Sequence, residues 1–259
     1  MTALITGASS GIGRDMARYL GRLGWDLILT ARSKSRLYKL KSELKQKYNN
    51  KVAVIPLDLS EEKSPFMLYH TCKNKRIDMI INNAGYGVFG NFTETSLDSE
   101  LEMIKVNIRA THILTKLFLT DFKRRNDGII LNTSSISGFM PGPLFSSYYA
   151  SKSYILNLTL AIHEELKREK SNVKISVLCP GPVETNFNNR AGVKFDIKPA
   201  SSEYVAKYAI DNALKGNPLI IPTLKMKICV YASKITPYIL LNKITYNIQH
   251  RKQKTGKFK

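Results

Sequence analysis

Ala3-Leu4-Ile5-Thr6-Gly7-Ala8-Ser9-Ser10-Gly11-Ile12-Gly13 stands at the head of a chain of 259 residues. Residues 3 to 6 read as a short buried strand, and the run from Arg14 to Leu23 reads as a helix. Between them, three glycines make a tight turn that opens into the helix start. Free backbone amides at such a start favour a pyrophosphate, and glycines let it come close. The spacing is Gly-xxx-Gly-x-Gly, not the broader Gly-x-Gly-xx-Gly dinucleotide fingerprint. A glycine turn alone can be structural; its place between strand and helix favours nucleotide binding.

Outward from this turn, strands and helices alternate. A second strand (Trp25 to Thr30) leads to a helix from about Ser33 to Tyr48. A third (Val52 to Leu57) ends at Asp58, and a fourth (Ile77 to Ile81) runs into Asn82-Asn83-Ala84-Gly85. A helix over about 97–123, a strand at 129–133, a helix at 147–169 and a strand at 173–178 follow. Internal repeats and long linkers are absent. This order predicts an α/β fold: a doubly wound, Rossmann-like parallel sheet with helices on both faces and ligands at the strands' carboxyl ends.

Strand two ends in Ala31-Arg32-Ser33. A site for NAD places an acid in this neighbourhood to hold the ribose hydroxyls. Arginine's planar fork suits the 2′-phosphate of NADP instead, so Arg32 points to NADP(H). A solvated arginine among Lys34, Arg36, Lys39 and Lys41 is the plainer alternative. Asp58 can meet adenine or cap the next helix. Asn107, inside a helix where asparagine is mildly unfavourable, suggests a local role.

Tyr148 and Lys152 are four positions apart at the start of an amphipathic run, hence on one helix face. Ser135 lies just past the apolar strand 129–131. A phenol titrates near 10, and bringing it to about 7 takes about 4 kcal/mol. A lysine about 4–5 Å away at an effective dielectric near 20 supplies about that much. Ser135 would then hold a substrate oxygen within reach of the Tyr148 hydroxyl. The expectation is a carbonyl-reducing or alcohol-oxidising centre.

Composition bounds these readings. A hydrophobic share of 43% and a charged share of 23% fit a globular chain with one large core. Cys72, Cys179 and Cys229 are too few and scattered for a disulfide framework or a zinc site, and no metal is expected. Neither a signal peptide nor an apolar run long enough to cross a bilayer is evident. A reducing, cytoplasmic setting is expected.

The net charge is +20, and ten basic residues follow the last acid, Asp211. The chain divides into residues 1–222 and a basic extension, 223–259. In the extension Ile228, Tyr231 and Ile235, then Leu240, Leu241, Ile244 and Ile248, recur at helical spacing around Pro237. Such a stripe packs against the sheet or a second subunit, or lies on an anionic membrane. The first reading is the stronger one. Nucleic acid is not expected as a partner, because the charge is not interleaved with aromatics on a recognisable module.

Together, Thr6-Gly7-xxx-Gly11-Ile12-Gly13, Asn82-Asn83-Ala84-Gly85, Ser135, Tyr148-xxx-Lys152 and Pro180-Gly181-Pro182-Val183-Glu184-Thr185 resemble the short-chain dehydrogenase/reductase family over residues 2–190, with a looser fit to about 222. The resemblance implies a catalytic tetrad of Asn107, Ser135, Tyr148 and Lys152. Tyr148 would be the acid/base, with its pKa lowered by Lys152, which would also bind the nicotinamide ribose. Asn107 would anchor a water in the proton relay. Cofactor contacts would come from Gly7, Ser9, Ser10, Gly11, Ile12, Gly13, Arg32, Asp58, Leu59, Asn82, Ala84, Gly85, Pro180, Val183 and Thr185. The segment 184–200 would close over the substrate. Phe139 and Phe187 would join Ser135 and Tyr148 in contacting a lipophilic ketone, with Gly138 to Phe145 and Tyr86 to Phe89 as further apolar walls. A hydroxysteroid or 3-oxoacyl-thioester reductase is the alternative within the class. A membrane-associated NADP(H)-binding protein without turnover is the alternative outside it. A homodimer or homotetramer stays open.

Overall fold

Seven strands form one parallel sheet in the order β3-β2-β1-β4-β5-β6-β7, in a computed structural model that describes residues 1–185 and 199–255, with side chains to residue 251. The strands are β1 (Thr2–Thr6), β2 (Asp26–Ala31), β3 (Val52–Pro56), β4 (Met79–Asn82), β5 (Ile129–Thr133), β6 (Lys174–Leu178) and β7 (Leu219–Ile220). Parallel strands need both faces covered, so their central runs are apolar throughout. Ala3 to Ile5 and Met79 to Ile81 are fully buried accordingly.

One face carries α1 (Gly11–Arg22), α2 (Lys34–Tyr48) and α7 (Ser202–Lys215). Met16, Leu20, Leu37, Leu44, Val205 and Ala209 pack there on Ile5 and Leu29. The other face carries α3 (Ser64–Cys72), α5 (Thr111–Arg125) and α6 (Ser146–Arg168). Leu68, Leu114, Phe118, Phe122 and Leu166 pack there on Leu4, Ile28, Ile80 and Ile130. The doubly wound architecture read from the sequence is the one observed. The strand order reverses around β1, which pairs with both β2 and β4. A crevice therefore opens at the carboxyl ends of these strands.

Three features differ from the sequence reading. The helix expected over 97–123 is α4 (Leu97–Ile104), a π-helical turn (Lys105–Ala110), and then α5. Such turns insert a residue into the helical ladder and often mark functional sites; this one contains Asn107. Secondly, α3, α7 and β7 have no counterpart in the sequence reading; β7, at two residues, has no periodicity to read. Thirdly, the extension forms α8 (Leu224–Ile235) and α9 (Tyr238–Thr255), but its stripe does not pack on the sheet. Ile228, Tyr231, Ile235, Leu240, Ile244 and Ile248 are 43 to 85% exposed, and of the expected set Leu241 alone is buried. The inward face is a different one: Met226 and Val230 join Leu156, Val177 and Cys179.

Candidate active site

The glycine turn is built for close approach. Gly7 and Gly11 hold φ of +66° and +54°, the left-handed region that disfavours a side chain. A Cβ at Gly13 would stand 2.5 Å from the Gly7 carbonyl oxygen and from Asn83 Nδ2. Ser10 caps α1 with extended backbone and no side-chain hydrogen bond, and the first turn carries no acid. Its amides therefore keep their positive end for an anion.

Two residues outside the expected set brace this turn. Thr6 Oγ1 donates to the Ile81 carbonyl and accepts from the Asn83 and Ala84 amides, tying the ends of β1 and β4. Asn83 Nδ2 donates to the carbonyls of Thr6 and Gly7. Ala84 lies with its Cα 2.9 Å from where a Gly7 Cβ would be. The signal for both was available: polar residues at the carboxyl ends of two strands that prove to be neighbours.

Other expected cofactor contacts are placed differently. Asn82 is 2% exposed and buried under the crevice, with Nδ2 donating to Asn132 Oδ1 and Thr115 Oγ1. Asn132 in turn donates to Thr159. This ladder ties β4, β5, α5 and α6 together, because buried amides must find partners. Leu59 also points inward, into the cluster of Leu4, Leu68 and Ile80. Asp58 does not cap α3, which begins at Ser64. Its Oδ1 accepts from the amide and hydroxyl of Ser60, closing a local turn.

At the far edge of the crevice Arg32 is half exposed, 3.6 Å from Asp58 and 3.4 Å from Glu102 of α4. Glu102 was not foreseen; α4 is distant in sequence, and folding brings it in. Desolvation raises the Asp58 carboxyl, but the Ser60 bonds and Arg32 outweigh it and hold its pKa below the usual value. Val183 forms a bridge with Ala200, and the Thr185 methyl reaches 2.9 Å from where a Gly11 Cβ would sit. This segment thus returns over the glycine turn. Pro180 is buried and accepts from the Ile136 amide at 3.1 Å and from Ser135 Oγ at 3.4 Å. Phe187 lies outside the described residues, as does most of the segment 184–200.

The centre lies where β5 gives way to α6. Tyr148 and Lys152 are both buried, and the Lys152 ammonium sits 5.7 Å from the Tyr148 ring centroid. Lys152 Nζ donates to the Thr133 carbonyl at 3.0 Å. The hydroxyls of Ser135 and Ser137 face the Tyr148 phenol. Gly85 closes the group from the β4 side, where a Cβ would be 3.3 Å from Lys152 Nζ and 2.9 Å from Asn107 Oδ1.

Asn107 joins this group through the chain itself. Its Nδ2 donates to the Tyr86 carbonyl and to Ser151 Oγ, and its Oδ1 accepts from the Tyr86 amide. Both side-chain N–H groups are thereby used, clamping the loop after Gly85 to α6. The π-helical turn is what points this side chain inward.

Electrostatically the site departs from the expectation. Burial pushes the Tyr148 phenol well above its ordinary value, and the groups that pull it back are the Ser135 and Ser137 hydroxyls. Burial also brings Lys152 from 10.5 down to about 8. The expected lowering of Tyr148 by Lys152 is not found in the protein alone. Both groups have left water together, and desolvation is the largest cause of each shift.

Of the expected apolar walls, Phe139 lies away from Tyr148. Phe139 packs beside Leu156, Val177 and Met226, under the Lys234 ammonium. Phe145 stacks on Tyr148 at 4.6 Å, with Tyr86 and Phe89 in the same cluster. Phe145 precedes α6 and turns back onto it, a path that spacing does not reveal.

A parallel sheet with its glycine turn at the reversal point, and a serine, tyrosine and lysine gathered at the end of β5, define a nucleotide-binding oxidoreductase architecture. The chain belongs to the short chain dehydrogenase family, whose sequence model matches residues 1–194. It is 34% identical over 204 residues to dehydrogenase/reductase SDR family member 7 of Homo sapiens, covering 74% of this chain and 58% of that protein. It is 31% identical over 191 residues to a very-long-chain 3-oxoacyl-CoA reductase of Mycosarcoma maydis, covering 72% of this chain and 54% of that one. The chain thus matches little more than half the length of these relatives. Among solved structures, a short-chain dehydrogenase from Sphingobium yanoikuyae in complex with NADPH superposes with a TM-score of 0.82 at 28% identity, over 90% of this chain and 93% of that one.

Proposed function

We propose that this protein is an NADP(H)-dependent oxidoreductase that reduces a ketone or aldehyde, with Tyr148 as proton donor. The observation that carries this reading is the buried group of Ser135, Tyr148 and Lys152, closed by Gly85 and facing the crevice at β1 and β4. The residues fit the cofactor. Positive-φ glycines and uncapped α1 amides suit a pyrophosphate, and Lys152 Nζ beside Gly85 suits a ribose. When bound, the nicotinamide supplies or accepts the hydride.

The chain's own residues do the rest. Ser135 Oγ holds the carbonyl oxygen beside the Tyr148 hydroxyl, where a proton passes to the developing alkoxide. Burial keeps the Tyr148 phenol protonated at neutral pH, the form a donor needs. Lys152 fixes the ribose, and its charge stabilises the phenolate left behind. Asn107 positions these groups by fastening the Tyr86 loop to Ser151. Tyr86, Phe89, Leu144 and Phe145 line the Tyr148 side with apolar surface, which supports a lipophilic carbonyl. A 3-oxoacyl thioester is the second reading, favoured by the likeness to 3-oxoacyl-CoA reductases.

Purified protein incubated with NADPH and a panel of carbonyls tests this reading. Consumption of NADPH with lipophilic ketones or 3-oxoacyl thioesters is expected, and NADPH binding without turnover on any carbonyl would sink it. Arg32 carries the cofactor preference in this proposal. Arg32→Ala should raise the KM for NADPH about 10- to 100-fold, the worth of a charge-assisted contact, and leave that for NADH nearly unchanged. Equal effects on both cofactors would remove Arg32 from the 2′-phosphate.

A further inference from the structure

We propose that the outward face of α8 and α9 docks on the surface of an anionic phospholipid bilayer. On α8, Leu224, Ile228, Tyr231 and Ile235 follow one another at steps of four, three and four residues. At about 100° per residue they form a stripe about 60° wide. All four are 61 to 85% exposed. The opposite side of the helix is already satisfied, with Met226, Val230 and Ser233 buried. On α9 the buried side is Leu241, Thr245 and Gln249, with Gln249 donating to the Tyr149 hydroxyl. Around the rest of the helix, Ile239, Leu240, Ile244 and Ile248 are exposed. Apolar surface of this extent on two consecutive helices is unusual for a face that meets only water.

Charge decides what covers it. Lys225, Lys227 and Lys234 flank the α8 stripe, Lys243 and Arg251 stand on α9, and no acid follows Asp211. A second copy of the same face would bring like charges together with no carboxylate to pair them. A nucleic acid would match the lysines, but isoleucine and leucine neither pair with phosphate nor stack on bases. A lipid headgroup layer offers negative charge above an apolar interior, complementary to both components. No helix among the described residues is long and apolar enough to cross a membrane, so the contact lies in the surface plane.

The inner side of the two helices packs toward α6 and the turn before it. Lys234 stands 5.9 Å over the Phe139 ring, and Gln249 holds Tyr149, the neighbour of Tyr148. The proposal rests on this surface alone and not on the reaction proposed above.

Co-sedimentation of the full chain with vesicles of phosphatidylcholine, with and without phosphatidylglycerol, tests it. Binding to the mixed vesicles, weakened by salt, is expected. Lys225→Gln should lower the partition coefficient about fivefold, and Ile228→Ser or Ile235→Ser about tenfold or more each. Because these side chains are exposed, the variants' thermal midpoints should match the parent's, which separates lost docking from lost folding. Equal binding to neutral and anionic vesicles, or none to either, overturns the proposal. So does a dimer, seen by light scattering, that Ile228→Ser dissociates without any vesicle binding. Tighter retention on duplex DNA than on vesicles, insensitive to Ile235→Ser, also overturns it.

Discussion

Tyr148→Phe should lower kcat by about a thousandfold while leaving the fold and nucleotide binding in place. The substitution removes one hydroxyl and keeps the ring that stacks on Phe145 at 4.6 Å. General acid catalysis by a positioned side chain is worth about 100- to 10,000-fold, and water is poorly placed to replace it in so buried a site. Ser135→Ala should act on the same step, so the double variant should be barely worse than Tyr148→Phe alone. Steady-state kinetics on any carbonyl that the parent reduces, with NADPH binding by fluorescence as a control, checks this. If Tyr148→Phe retained more than a tenth of the parental kcat, Tyr148 would not be the proton donor.

The second large effect is one of opposite signs. Lys152→Met should abolish turnover and yet stabilise the protein at pH 7. The fall of Lys152 from 10.5 to about 8 is the cost of holding its charge out of water, about 3 kcal/mol. Methionine fills much the same volume without that cost. The Thr133 carbonyl loses the donor that reached it at 3.0 Å, which returns about 1 kcal/mol. A net gain of about 2 kcal/mol in urea unfolding is expected. Its pH dependence is the sharper test. Between pH 8 and 10.5 the native state of the parent has shed this proton while the unfolded chain still holds it, so Lys152's contribution to stability rises with pH. The advantage of the variant should therefore be full below pH 8 and reversed above pH 10.5, where the lost Thr133 bond leaves it about 1 kcal/mol less stable. Tyr148 and Cys179, pushed up by burial, titrate in both proteins; Tyr148 cancels in the difference, and Cys179 cancels except for the part by which Lys152 pulls its thiol down. A variant no more stable than the parent at pH 7 would show that Lys152 is not held at a cost. Such a cost at a functional site is the usual trade of stability for activity.

Much of this was legible in the residues alone. Apolar runs such as Ala3 to Ile5 and Ile129 to Leu131 declare parallel strands because a sheet covered on both faces has no polar side to encode. Glycines at 7, 11 and 13 declare a turn that ligands approach, since glycine holds the φ of Gly7 and Gly11 at least cost and leaves no Cβ in the way. The four-residue step from Tyr148 to Lys152 fixes a shared helix face by geometry alone.

The rest depended on which elements become neighbours. Asn82 stands at a strand's carboxyl end, and the pairing of β4 with β5 makes its side chain the buried partner of Asn132, leaving its backbone toward the crevice as the part that could meet a cofactor. Arg32 acquired Glu102 from across the fold. The direction in which Tyr148 and Lys152 shift was set by how deeply packing buries them, a quantity no spacing carries. Likewise, the heptad-like spacing of Ile228, Tyr231 and Ile235 showed an apolar stripe but not its direction. Only once Met226 and Val230 had taken the inner face was that stripe left facing outward. Sequence periodicity records which residues share a face; tertiary packing chooses which face is buried, because a helix offers more than one and the sheet covers only one.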